Sequence, residues 1–173
     1  MFENAEIMPD ELPAADELEW RNLDPRYARR LQLEALLTTA VVVIAILTAQ
    51  LMPLPIDRRL FLAGWVVAAI LALLGLLWPL VSVPRKGYAI RDKDMVYRSG
   101  VIWRTVTAVP FNRVQHVETS STPLDRRFTQ AKLQLFTAGG SGGDLKIEGM
   151  PADVAERLRL FILEKAGATL EHG

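Results

Sequence analysis

Few residues in this 173-residue chain could do chemistry, and they are scattered. His116 and His172 are the only imidazoles, and there is no cysteine. A single imidazole without a thiol or a second suitably spaced ligand makes a poor metal site. Without cysteine there is no disulfide, zinc-thiolate centre or thiol nucleophile. His116 falls in a strand-like stretch, where a ring held by a neighbour is the simple expectation. Ser99, Ser120, Ser121 and Ser141 have no nearby base and no elbow-like turn, so a hydrolase triad is not supported. Asp92, Asp94 and Asp125 suit turns and caps. The loop Gly139-Gly140-Ser141-Gly142-Gly143 lacks the Lys-Ser/Thr of a phosphate-cradling loop and the Gly-x-Gly-x-x-Gly spacing of a dinucleotide site. It reads as a hairpin loop, with a backbone anion nest as the alternative. The chain is therefore read as a non-enzyme with no cofactor and no metal.

The basic residues offer a second kind of chemistry. Arg85 and Lys86 follow a long apolar segment, and each would contribute about 1 kcal/mol against an anionic lipid surface. Arg113, Arg126 and Arg127 would form a headgroup site only if the fold brings them together; ordinary surface charge is the simpler reading. Arg85, Lys86, Arg113, Arg126 and Arg127 are thus the candidate lipid or membrane-surface contacts. No basic stripe with interleaved aromatics appears, so a nucleic-acid partner is not expected.

The element that positions Arg85 and Lys86 is a pair of uncharged apolar runs, Ala35 to Ile56 and Leu60 to Val83. Each exceeds the roughly 20 residues a helix needs to cross a hydrocarbon core. Only Asp57-Arg58-Arg59 separates them, which predicts a transmembrane hairpin over 31–84. Gly64, Ala68 and Ala72 fall four apart, a spacing that lets helix backbones approach closely, here against the first span. Trp65 and Trp78 sit toward opposite ends as interfacial anchors would. No acid–base pair lies inside either run, so an ion path is not expected.

Zero net charge hides an asymmetry. Residues 1–19 carry seven acids, from Glu3 to Glu19, and no base, whereas past Val83 Lys and Arg outnumber Asp and Glu by 14 to 10. Residues 1–30 read as an acidic, largely disordered tail with a juxtamembrane segment, in which Asp24 caps a helix and Pro25 opens it. The apolar run begins too late for a secretory signal. Arg21, Arg26, Arg29 and Arg30 before the hairpin, and Arg85, Lys86, Arg91 and Lys93 after it, outweigh Arg58 and Arg59 between the spans. That bias predicts a multi-pass plasma (inner) membrane protein with both termini cytoplasmic.

Beyond Arg85 the apolar period falls to two. Strands are expected at Tyr88–Ile90, Met95–Ser99, Val101–Val109 and Arg113–Thr119, the last with a bulge or face change. A helical turn is expected over Ser121–Phe128. A hairpin of Ala131–Thr137 with Asp144–Glu148 follows. The chain ends in a helix opened by Pro151, terminated by Gly167 and buried along Val154, Leu158, Phe161 and Ile162. Antiparallel strands followed by one helix predict a partly open roll or barrel with a capping helix over 85–167.

Several of these runs resemble a known family in order: Tyr88-Ala89-Ile90, Arg98-Ser99-Gly100-Val101-Ile102, Val109 to Val117, Pro123-Leu124-Asp125-Arg126-Arg127-Phe128, and Thr137-Ala138-Gly139-Gly140. They resemble the bacterial pleckstrin-homology-like domain of YdbS-type membrane proteins, across roughly residues 26–166. The resemblance implies an α+β membrane protein: a two-helix hairpin, then two nearly orthogonal antiparallel sheets with a C-terminal helix plugging one end. It implies no catalytic residue. It also implies a partner, another membrane protein bearing such domains, or self-association. Thr129-Gln130 departs from the family pattern by standing where a glycine-containing step is more typical, so the turn after Phe128 is expected to differ. The function expected is a non-enzymatic, membrane-anchored interaction module, with anionic-lipid headgroup binding as the alternative.

Overall fold

The structure, a computed structural model, describes residues 18–52, 57–137 and 145–170. Most of the acidic tail, the end of the first apolar run, the glycine-rich loop and His172 lie outside these residues. The elements run β1 (Arg21–Asn22), α1 (Arg26–Leu51), α2 (Arg58–Ser82), β2 (Gly87–Ile90), β3 (Asp94–Ser99), β4 (Thr105–Pro110), β5 (Val114–Ser120), α3 (Pro123–Arg127), β6 (Gln130–Thr137), β7 (Leu145–Pro151) and α4 (Ala152–Leu170).

α1 and α2 form an antiparallel hairpin long and apolar enough to cross a membrane. α1 ends at Leu51 rather than running on to Ile56. Met52 is extended, with ψ 143°, because the proline that follows it excludes the helical region. Small residues of α2 face α1. Ala68 is buried, and a Cβ on Gly75 would lie 2.4 Å from the Ala35 Cβ. The Gln32 amide donates to the Leu76 carbonyl at 2.9 Å in the same region. The outward face is bare and apolar: Val41, Ile44, Leu62, Val66, Leu73 and Leu74 are all exposed.

β1, β2, β3 and β4 form one antiparallel sheet in chain order, and β5, β6 and β7 form a second. The two sheets and α4 enclose one core, which includes Met95, Phe111, Leu133, Leu135, Ile147, Met150 and Ile162. The α4 stripe is Ala155, Leu158 and Ile162, with Val154 and Phe161 packed at its margin, and the Phe161 ring meets Phe111 edge-on at 5.9 Å. This is the helix-plugged roll that the strand order implies. α4 does not stop at Gly167 but continues to Leu170.

Three local features depart from the sequence reading or refine it. The run Val101–Val109 is not one strand: β4 begins at Thr105, and residues 100–104 form the loop of the β3–β4 hairpin. A lone Gly100 is too short to turn a hairpin, which needs at least about two loop residues. β5 carries an extra residue between Val114 and His116, the bulge expected there. The turn after Phe128 places Thr129 at φ 57°, a left-handed conformation that favours glycine.

The largest difference lies before the hairpin. Residues 21–22, assigned from sequence to the tail, form a strand: Arg21 pairs with Tyr88 and Asn22 with Gly87. Leu23 and Tyr27 are buried in the core of the sheet domain. The hairpin is therefore inserted between two neighbouring strands of the roll. Low hydrophobicity and seven acids mask these few anchoring residues when the segment is read in bulk.

Candidate functional site

Two polar clefts lie at the end of the domain where the hairpin joins it. The register fixes this placement. Gly87 opens β2 just after the hairpin and pairs with Arg98, while Ser99 pairs with Thr105. The β3–β4 loop therefore lies at the hairpin end of the sheet, and the Arg91–Lys93 turn at the opposite end.

A cleft of about 410 Å³ opens there, lined by Trp20, Pro84, Arg85, Arg98, Gly100 and Arg104 among others. Among the described residues, no carboxylate lines it. The Arg85 guanidinium donates to the Val81 carbonyl, which holds it against the last turn of α2. The half-buried Arg98 guanidinium lies over the Trp20 ring, 4.5 Å from its centroid, an attraction of about 0.5–2 kcal/mol.

A second cleft, about 300 Å³, lies between the start of α1 and the second sheet. The Tyr27 hydroxyl donates to Glu148 Oε2 at 2.9 Å, and Lys146 pairs with the other Glu148 oxygen. Arg30 Nε sits 2.9 Å from Asp125 Oδ1, tying α1 to α3. Thr122 and Asp125 form a reciprocal capping box on α3. Burial alone would raise the Glu148 pKa, but the hydrogen bonds from Lys146 and Tyr27 outweigh it and hold the carboxyl below its ordinary value. Lys86, its ammonium 5.4 Å from the Tyr27 ring centroid, is pushed below the ordinary lysine value by burial, and Glu148 partly offsets this. Tyr97 is pushed up to about 12, by burial first and the Glu148 charge second. The cations of this cleft are thus largely matched by internal acids.

The five basic residues singled out from sequence do not converge. Arg85 joins the first cleft, whereas Lys86 turns toward Tyr27 and Glu148. Arg126 and Arg127 project from α3, where Arg126 donates to the Ser121 carbonyl at 3.3 Å. Arg113 lies at the other end of β5, beside Leu163 and Ala166 of α4. Sequence reasoning missed Arg98, Arg104 and Trp20. The signal for the first two was the impossibility of a one-residue hairpin turn at Gly100. His116 is exposed, and its ring lies tilted by 40° against Phe136, centroids 5.6 Å apart. Among the described residues, no group of three His, Asp or Glu side chains is placed to hold a metal ion.

Two antiparallel sheets and a C-terminal helical plug define a pleckstrin-homology-like fold. The bacterial PH domain family model matches residues 31–166, hairpin included, and the chain belongs to that family. No curated protein and no solved structure matches the chain.

Proposed function

We propose that this is a non-enzymatic, membrane-anchored interaction module of the YdbS type. In this reading α1 and α2 span the plasma (inner) membrane, both termini are cytoplasmic, and the PH-like domain docks another membrane protein bearing such domains, or a second copy. One observation carries the proposal: an uncovered apolar hairpin is spliced between β1 and β2 of a domain whose own core is complete. Exposed apolar helices of that length would be unstable in water and stable in lipid. Because the residues entering α1 pair with those leaving α2, the two ends of the hairpin share one side of the bilayer.

In-cell crosslinking followed by mass spectrometry, with mild detergent extraction, tests the partner. The reading expects a discrete complex with a second membrane protein or a second copy; recovery of lone monomers only, with no crosslinked partner, counts against it. A second reading, recognition of anionic lipid headgroups, is supported by the cleft at Arg85, Arg98 and Arg104, which no carboxylate lines among the described residues. Arg126 and Arg127 would then form a separate contact on α3. Binding of the full chain to anionic lipid that is unchanged in the Arg126→Ala/Arg127→Ala variant removes that contact.

A further inference from the structure

The β3–β4 loop carries two large apolar side chains in the open. Trp103 is 85% exposed and its neighbour Ile102 75%, the latter more exposed than most residues of the hairpin's bare face. The loop is shaped rather than slack. Gly100 has φ +112°, and a Cβ there would lie 1.7 Å from the Trp103 carbonyl oxygen, so only glycine permits this fold-back. The tip stands out into solvent, and its flanks are basic. Arg98 and Arg104 stand on either side of the loop and share the cleft with Pro84 and Arg85, where the apolar hairpin ends. The exposed Ile–Trp pair thus lies between Gly100 and Arg104, two residues of the cleft that reaches the end of the hairpin. An indole above an apolar layer, flanked by arginines, matches the bilayer interface, where aromatic rings sit at headgroup level and cations meet lipid phosphates.

We propose that Ile102 and Trp103 insert into the interface of the bilayer that holds α1 and α2, while Arg85, Arg98 and Arg104 lie against anionic headgroups. The proposal rests on the hairpin spanning a membrane, as set out above. It gives the domain a third point of attachment, at the end of the sheet nearest the lipid, and fixes its tilt. A flat or grooved protein partner would demand a complementary pocket for a protruding tip; a fluid interface demands none.

The absence of cysteine makes the test direct. Trp103→Cys, Asp92→Cys and Leu73→Cys are each labelled with an environment-sensitive fluorophore in the full-length protein. The protein is reconstituted in vesicles of phosphatidylethanolamine and phosphatidylglycerol. The label at Trp103 should emit to the blue and be quenched by lipids carrying a shallow nitroxide. The label at Asp92, on the opposite turn, should be quenched only by aqueous reagents, and that at Leu73 by deep nitroxides. A water-exposed Trp103 label beside a lipid-buried Leu73 label overturns the loop proposal and leaves the hairpin reading standing. If Leu73 is also in water, the hairpin reading fails first. A Trp103 label shielded only in native membranes, and not in these vesicles, assigns the tip to a protein partner and overturns the lipid assignment.

Discussion

The Tyr27 ring occupies the space that a side chain on Gly149 would need. A Cβ on Gly149 would lie 2.2 Å from the ring, and Gly149 itself has φ +72°. The glycine sits at an irregularity in the β6–β7 register, where β7 carries one more residue than its partner. That bulge lets the strand bend under the first turn of α1. The Asp24 N–H donates to the Gly149 carbonyl at 3.0 Å, closing the contact. The helix that enters the hairpin is therefore seated on the second sheet as well as joined to the first.

Gly149→Ala should consequently cost about 2–4 kcal/mol, combining overpacking with a left-handed alanine. In a Tyr27→Ala background the clash is gone, and the same change should cost only the backbone share, about 1–2 kcal/mol. Denaturant unfolding of all four proteins in one detergent measures the coupling. Additive effects would mean that the ring does not restrain this glycine.

How much of this could be read from sequence depends on pattern length. The hairpin and α4 have long apolar periods, and their existence needed no tertiary information. β6 alternates cleanly and was legible, and Asp125 suited a cap, the role it takes on α3, where Thr122 is its unanticipated partner. β1 was not legible, because a two-residue strand has no period, and Leu23 and Tyr27 are two apolar residues in a charged stretch. The Val101–Val109 run was over-read as strand because Val, Ile and Trp carry β-propensity in loops too. The separation of Arg113 from Arg126 depends on β5 running between them, which spacing in sequence does not reveal.

Thr129 holds φ 57°, a costly state for a β-branched residue, while its N–H and carbonyl bond to Arg126 and Ala152. Thr129→Gly keeps both backbone bonds and removes the Cβ strain. Part of the gain is lost to the freer unfolded chain. A net stabilisation of about 0.5–1 kcal/mol should appear in thermal unfolding. A fall in stability would show that the Thr129 side chain contributes more than its backbone costs.

The hairpin makes a graded prediction. At Gly75 an added methyl would meet the Ala35 Cβ at 2.4 Å, with Cα behind it at 3.7 Å, so the helices must separate. At Gly64 the nearest atom is the end of the Ile46 side chain at 3.4 Å, which is ordinary contact. Gly75→Ala should therefore lower the midpoint of unfolding in detergent, with a loss of about 1–3 kcal/mol, whereas Gly64→Ala should change it little. Equal behaviour of the two variants would place the close approach elsewhere.

Glu148 should give the domain an acid limit. Its carboxyl is held below the ordinary value of 4.5, because Lys146 and Tyr27 bond its charged form strongly enough to overcome burial. A depressed carboxyl binds fewer protons folded than unfolded, so stability is fully present above about pH 4.5 and drains away as pH falls through the folded value. Glu148→Gln can still accept from the Tyr27 hydroxyl, but it leaves Lys146 and the half-buried Lys86 without their counter-charge. The variant should be less stable than the parent at neutral pH and should lose less on acidification, so that the two stability curves converge as pH drops below 4.5. Intrinsic tryptophan fluorescence during thermal unfolding across that range reads both curves. Parallel curves would show that another carboxylate, not Glu148, sets the acid limit.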